Sequence, residues 1–316
     1  MSILRFVLAR FGAIIPVLIG VTLVVFLSLQ LVPGDIALTL LGRFANAEQL
    51  ETLRRHLGLD QPLLVQYADW FMRLVQGDLG DSLAQKIPVA LILIPKVANS
   101  LILMAGSLIL VIAFGFGLSV LAAANFRGPA DRVIVFVSLI LASLPVFWLG
   151  LVLLYVFGVK WKLFPISGMY DMIDPGGLGQ LLHHIVIPAV TTAASSIAIV
   201  TRVTRSRLID VLHQPYILAC TARGLSRRRV VLRHGVRNSL ATFANIGGLQ
   251  IGYLFGGVIF SEIIFNWPGI GMQLYESILQ RDAPMIQGCV LAVAVVFVLG
   301  NLISDVIVHA LDTTRR

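Results

Sequence analysis

Charge is what this sequence has least of. Asp, Glu, Lys and Arg make up 13% of its residues, against about 25% in a soluble domain. Hydrophobic residues make up 58%, and the mean hydropathy is +0.91. So little charge cannot cover a globule of 316 residues in water, so the chain reads as a polytopic membrane protein. Cysteine is scarce as well. Cys220 and Cys289 offer neither a disulfide framework nor a metal-ligand spacing, and are expected to be free thiols. No GxxxxGK[ST] phosphate loop occurs, so no nucleotide chemistry of that kind lies on this chain. There is no internal repeat and no low-complexity stretch. The apolar runs themselves hold almost no ionisable side chain, since Glu262, Asp305 and His309 fall at their ends. A charge at mid-bilayer costs about 2.5–3.5 kcal/mol even on insertion scales, and ion-coupled transporters keep such groups at the midplane for use. A transporter built from this chain therefore takes its energy from outside the bilayer. A membrane-embedded enzyme would need a nucleophile, paired carboxylates or a His-x-x-x-His at membrane depth, and none is present.

What is there is a set of apolar runs near the 20 residues that span a bilayer. They predict six transmembrane helices over roughly 11–32, 99–124, 133–158, 185–201, 239–261 and 285–309, the fourth continuing past Arg202. The first run is too long for a signal-peptide core and lacks a small-residue cleavage site after it, so it is read as retained. Six spans put both termini on one side. Fifteen of the 24 Lys and Arg fall on that side, and most of the other nine lie in one long segment, where charge carries little topological weight. The fifteen mark the cytoplasm, with both termini there. The formal charge of +8 then follows from the excess of basic residues in cytoplasmic loops and does not call for nucleic acid.

Residues 33–98 form an external segment between the first span (1–32 with the N-terminus) and a five-helix core (99–316). Asn46 and Gln49 have capping-box spacing for a helix through Leu57. Pro62 can open a second helix that ends near Gly77, with Leu64, Tyr67, Phe71 and Leu74 on one face. Such a helix either lies on headgroups or covers another protein surface. Ile87–Pro95 is apolar but too short to span.

The one strongly cationic island is 202–238, with nine arginines and a single carboxylate, Asp210. Pro215 is suited to open a short helix and Gly224 to close it, and Ser226 can cap the next. The positive-inside rule explains the arginines but not this bracket. A short helix with tight ends between two spans can dock in a partner and carry a push into the membrane.

Here the sequence resembles the permease subunits of ATP-binding-cassette importers, in their dipeptide, oligopeptide and nickel branch. Tyr216, Ile217, Ala222, Arg223, Gly224 and Leu225, then Arg233, His234, Arg237 and Asn238, match that family's cytoplasmic signature. Leu218, Ala219, Cys220 and Thr221 depart from it, as does Ala241-Thr242 where a proline is usual. Further matches run along the chain: Pro33-Gly34-Asp35, Gly58 to Pro62, Gln66-Tyr67, Gly77 to Gly80 with Ser82, Ser143-Leu144-Pro145, Phe147-Trp148, Glu262, Phe265, Trp267 to Gly271, Arg281-Asp282, Pro284, Asn301 with Asp305, and Leu311-Asp312. The resemblance implies an all-α, six-span type I importer permease, the B-type half with the long external segment. It implies a protein of the bacterial inner membrane that catalyses nothing itself. It implies coupling of 216–225 to cytoplasmic ATPases that hold ATP and Mg, with Arg233, His234, Arg237 and Asn238 as an anchor. It also implies a second permease subunit and an extracytoplasmic solute-binding protein, with peptides as the solute and nickel or another metal chelate as the alternative.

Three features keep two readings at this stage. His183-His184 could bind metal, but adjacent histidines with no nearby carboxylate or Cys read better as a headgroup-level pair. Trp267, Pro268, Gly269 and Gly271 could form an external gate or docking surface, or a rigid turn with an interfacial Trp anchor. Asn99, Ser100, Ser143, Gln250 and Asn301 suit interhelical hydrogen bonds at least as well as a pathway, and the carboxylates of Glu262 and Asp305 suit a pairing with Arg281 or with backbone amides.

Overall fold

A computed structural model describes residues 3–30, 60–171 and 176–311, with 46, 48, 51, 52 and 55. Those residues contain α-helix and no strand beyond an isolated bridge between Asp81 and Pro88. The helices are α1 (Ile3–Gln30), α2 (Leu63–Val75), α3 (Val89–Ala124), α4 (Pro129–Ser143), α5 (Val146–Lys160), α6 (Leu178–Leu212), α7 (Pro215–Ala222), α8 (Val236–Ile264), α9 (Ile270–Gln280) and α10 (Ala283–Leu311). The chain forms two compact units. One holds 1–7, 99–272 and 297–316, the other 8–98 and 273–296.

Among the described residues, four helices are long and apolar enough to cross a membrane: α3 with 36 residues, α6 with 35, Thr242–Ile264 within α8 and Ala283–Val306 within α10. Gly12–Leu27 within α1 is a shorter apolar stretch. The expected fourth span does run past Arg202, to Leu212. Two expectations change. The short apolar run Ile87–Pro95 is no separate segment: α3 starts at Val89 and carries Pro95 inside it. The span expected over 133–158 is two helices, α4 and α5, bent by 108° at Leu144-Pro145. Proline has no N–H for the ladder and drives the residue before it into extended backbone; Leu144 has φ −79° and ψ 130°. Gln49 of the Asn46–Gln49 cap, the Pro33-Gly34-Asp35 motif and the Asp312 end lie outside the described residues. Backbone at 48, 51, 52 and 55 is helical, with an Arg55–Glu51 ion pair at 2.8 Å. Pro62 takes the position just before α2 rather than its first turn.

The first unit is built around α6. Of the apolar window of α6, 61% is buried, against 22–33% for the other three spans, so α6 is the core helix and the others show lipid-sized apolar faces. Two apolar clusters line it. One joins Leu103, Met169, Ala189, Val258 and Trp267; the other joins Val111, Ala193, Val200 and Leu254. The missing side chain at Gly115 lets α3 come close there, where a Cβ would lie 3.0 Å from Val200.

In the second unit, the 77–88 loop is tied to the start of α10. The Asp282 carboxylate accepts from Ser82 Oγ and from the backbone amides of Leu83, Ala84 and Met285. Elsewhere in this unit, α2 packs on α1 through Tyr67 and Trp70 against Phe26.

Candidate functional site

The cationic island folds as its punctuation requires. Pro215 is the first residue of α7, after Gln214 in extended backbone. The helix ends in a Schellman turn: Leu225 N–H donates to Cys220 O at 3.3 Å, Gly224 N–H to Thr221 O at 2.9 Å, and Gly224 sits at φ +81°, a conformation that glycine adopts without strain. Ser226 precedes the next helical turn in extended backbone, although its side chain makes no cap bond. That turn, Arg227–Arg229, runs through a π-helical turn, Val230–Gly235, straight into α8. The helical rod into α8 therefore starts at Arg227, and the four residues Arg223 to Ser226 link it to α7.

Eight residues are too few for a helix stable on its own, so α7 is held by its contacts. Ile217 is its buried residue, 2% exposed, and closes one side of a cleft of about 420 Å³ lined by Phe126 from the α3–α4 joint, Ile209 and His213 from the end of α6, and Leu225, Val230 and Val231 beyond α7. Burying one Ile contributes about 1.5–3 kcal/mol. A second tie is Asn238 Nδ2, which donates to Tyr216 Oη at 2.7 Å and to His234 O at 3.0 Å, joining the first turn of α7 to the first turn of α8. The rest of α7 faces outward: Tyr216 is 45% and Leu218 61% exposed, and Ala219, Ala222 and Arg223 are exposed beside them, with Cys220 half-buried. Arg233 and Arg237 are exposed, so the residues that tie this region together are Tyr216, Ile217 and Asn238 rather than the arginines.

Sequence reasoning missed the joint beneath the cleft. Arg205 on α6 makes a two-pronged contact with Asp131 at the head of α4, Nε to Oδ1 at 2.5 Å and Nη2 to Oδ2 at 2.7 Å. Asp131, 4% exposed, also accepts from the Arg127 amide at 2.9 Å. The Arg205 guanidinium lies 5.7 Å from the Phe126 ring centre, and the edge of that ring meets His213. The available signal was the single carboxylate at the α3–α4 joint, between Arg127 and Arg132. Breaking a buried pair from one side costs about 3–5 kcal/mol, because the other charge is left uncompensated. Asp131→Ala is therefore expected to lower the thermal unfolding temperature of the purified protein more than the double change Asp131→Ala with Arg205→Met, a comparison that thermal unfolding in detergent reads directly.

The turn between α8 and α9 is the other constellation. Glu262, fully buried, accepts from Ser100 Oγ and from Gly271 N–H at 2.6 Å, while Ser100 Oγ accepts from Ile270 N–H at 2.8 Å. Asn99 Nδ2 donates to Pro268 O, and Trp267 Nε1 donates to Asn99 O, both at 2.9 Å. Trp267 is fully buried, and Gly269 and Gly271 are buried with it. This corrects the reading of Trp267 as an interfacial anchor: the indole is a plug whose N–H is satisfied inside the protein. Of the turn, Asn266 and part of Pro268 remain at the surface. The Glu262 carboxylate pairs with a backbone amide, as expected of it, and Asn99 and Ser100 bond across elements.

Residues 115–316 match the family model described as "Binding-protein-dependent transport system inner membrane component". The chain belongs to that family. Residues 3–89 match the companion model "Binding-prot-dependent transport system membrane comp, N-term". Curated relatives align end to end. The chain is 34% identical over 335 residues to the dipeptide transport system permease protein DppB of Escherichia coli (strain K12), with 99% of each chain covered. It is 36% identical over 300 residues to the oligopeptide transport system permease protein AppB of Bacillus subtilis (strain 168), covering 94% of this chain and 95% of that one. It is 36% identical over 313 residues to the glutathione transport system permease protein GsiC of Salmonella typhi, with 99% of each covered.

The protein is thus an all-α, multi-pass inner-membrane permease subunit of the ATP-binding-cassette importer type. In this permease the histidine pair does not converge. His183 Nε2 contacts Leu163 O at 2.9 Å and His184 Nδ1 contacts Gly168 O at 3.1 Å, with the rings perpendicular and 6.4 Å apart. Among the described residues no group of three His, Cys, Asp or Glu could hold a metal ion. Cys220 and Cys289 are free thiols.

Proposed function

We propose that this permease forms half of the translocation pathway of an ATP-driven importer for short peptides, with α7 as the helix that couples it to an ATPase. The observation that carries the coupling role is the build of α7: a short helix opened by Pro215 and closed by the Gly224 turn, pinned by Ile217 and Tyr216–Asn238, exposing Leu218 and Ala222, and linked by the short turn 223–226 to the helix that runs into α8. Peptide as the solute rests on the relatives, whose names state dipeptide, oligopeptide and glutathione transport. The other half would be a second permease subunit. ATP and Mg would be held by two ATPase chains, and a solute-binding protein would deliver the peptide. Both termini and α7 would face the cytoplasm, in keeping with the distribution of basic residues. The 77–88 loop, fixed by Asp282 and carrying exposed Asp81, Gln85 and Lys86, is, among the described residues of the 33–98 segment, the part best suited to receive the binding protein.

The docking role is tested by cysteine cross-linking in membranes that hold the assembled transporter. A cysteine replacing Leu218 or Ala222 is expected to cross-link to an ATPase subunit, and one replacing Asp78 is not. Equal yields at the three positions would remove α7 from the ATPase interface.

A further inference from the structure

The helix α2 has one apolar face too many for the place the sequence suggests. Its inward face, Tyr67, Trp70, Phe71 and Leu74, follows helical spacing and is half-buried, and Tyr67 and Trp70 pack on Phe26 of α1. Its polar residues, Gln66, Asp69 and Arg73, share one narrow stripe at i, i+3 and i+7. What remains is a second apolar face, and it is bare: Leu64 is 80%, Val65 42%, Met72 60% and Val75 69% exposed. A helix set between protein and water needs one apolar face. Two apolar faces with a thin polar stripe fit a helix set between protein and lipid.

Its depth agrees. Tyr67 Oη hydrogen-bonds Thr22 Oγ1 at 2.9 Å, and Thr22 lies within the apolar stretch Gly12–Leu27 of α1. At 1.5 Å per residue, Thr22 sits about 8 Å inside the end of that stretch. Helices that lie in the membrane interface bury their apolar side roughly 5–10 Å into the boundary between headgroups and acyl chains. The contact sets α2 beside the apolar stretch of α1 and not beyond its end.

We propose that the face formed by Leu64, Val65, Met72 and Val75 lies in the acyl-chain boundary of one leaflet, and that α2 is a lipid-contact helix that fixes α1 and the start of the 77–88 loop at the bilayer surface. This inference requires membrane insertion of the chain and is independent of the peptide assignment. It removes α2 from the surface open to a binding protein.

The test is nitroxide accessibility in the assembled transporter, reconstituted into nanodiscs of palmitoyl-oleoyl-phosphatidylcholine, with Cys220→Ser as background. Leu64→Cys and Met72→Cys alter an exposed face and carry one set of labels; Asp69→Cys and Arg73→Cys carry the other. Labels at 64 and 72 are expected to collide several-fold more with dissolved oxygen, relative to a water-soluble nickel chelate, than labels at 69 and 73. Bimane at 72 is likewise expected to be quenched by brominated lipid. Equal nickel access at all four positions would show a water-facing helix and overturn the proposal. Protection of 64 and 72 from both reagents would show a protein covering the face and overturn it equally. The pattern is read without transport, so failure of the importer assignment leaves it standing.

Discussion

Gly224→Pro is expected to abolish coupled transport while the membrane helices remain inserted. At φ +81° no proline fits, because its ring fixes φ near −65°. The substitution also removes the N–H that donates to Thr221 O at 2.9 Å, one of the two bonds of the turn that ends α7. Nothing lies within 4 Å of a Cβ placed there, so the effect comes from the backbone and not from a clash. A loss of about 3 kcal/mol corresponds to about a hundredfold in the population of the native α7 end. Gly224→Asn separates backbone from side chain. Asn enters the left-handed region at modest cost, so this variant should keep most of the uptake that proline removes. Uptake and ATP hydrolysis measured together in proteoliposomes, with protease protection to show insertion, check both. Full uptake by Gly224→Pro would mean that the end of α7 plays no part in coupling.

The second large effect is expected at Gly269. A Cβ there would fall 2.0 Å from Glu262 Oε1 and 2.2 Å from Cδ. That carboxylate cannot swing aside, because it holds the Gly271 amide and Ser100 Oγ within a buried turn. Gly269→Ala should therefore break the Glu262–Gly271–Ser100 set and expose Trp267. Hydrogen bonds to a charged group contribute about 1.5–3 kcal/mol each, so losing the set costs enough to lower the yield of folded protein several-fold. Fluorescence-detected size-exclusion chromatography of the detergent extract reads that loss. Ala at Gly247, where nothing lies within 4 Å, is the matched control and should elute as the parent does. A monodisperse Gly269→Ala protein with the parent's yield and unfolding temperature would show that the turn is not held by Glu262.

What could be read from the sequence was local. Apolar runs locate the spans because the bilayer core sets their length, and Pro215 and Gly224 mark α7 because each acts on its own backbone. The family signature lay in that same stretch. What could not be read were consequences of distant residues meeting. Arg205 looked like one of nine solvated arginines until α4 brought Asp131, 74 positions away, against it. Trp267 could be read as part of an external gate or as a headgroup anchor, a common use of Trp next to a span, until Asn99 satisfied its N–H in the interior. At Pro145 a break was foreseeable from the residue type, but not the 108° between α4 and α5, both of which pack on α6. The second apolar face of α2 was present in the pattern, yet its meaning depended on which side α1 would cover.

In the proposed function this chain carries solute through the membrane while partner chains supply the energy through α7. The measurement that tests this is uptake of a labelled dipeptide by proteoliposomes, comparing the permease alone with the permease assembled with the proposed second subunit, ATPases and solute-binding protein. The account predicts no uptake by the permease alone under a proton or sodium gradient. It predicts uptake by the assembly only when ATP and binding protein are both supplied. Gradient-driven uptake by this chain alone would contradict it.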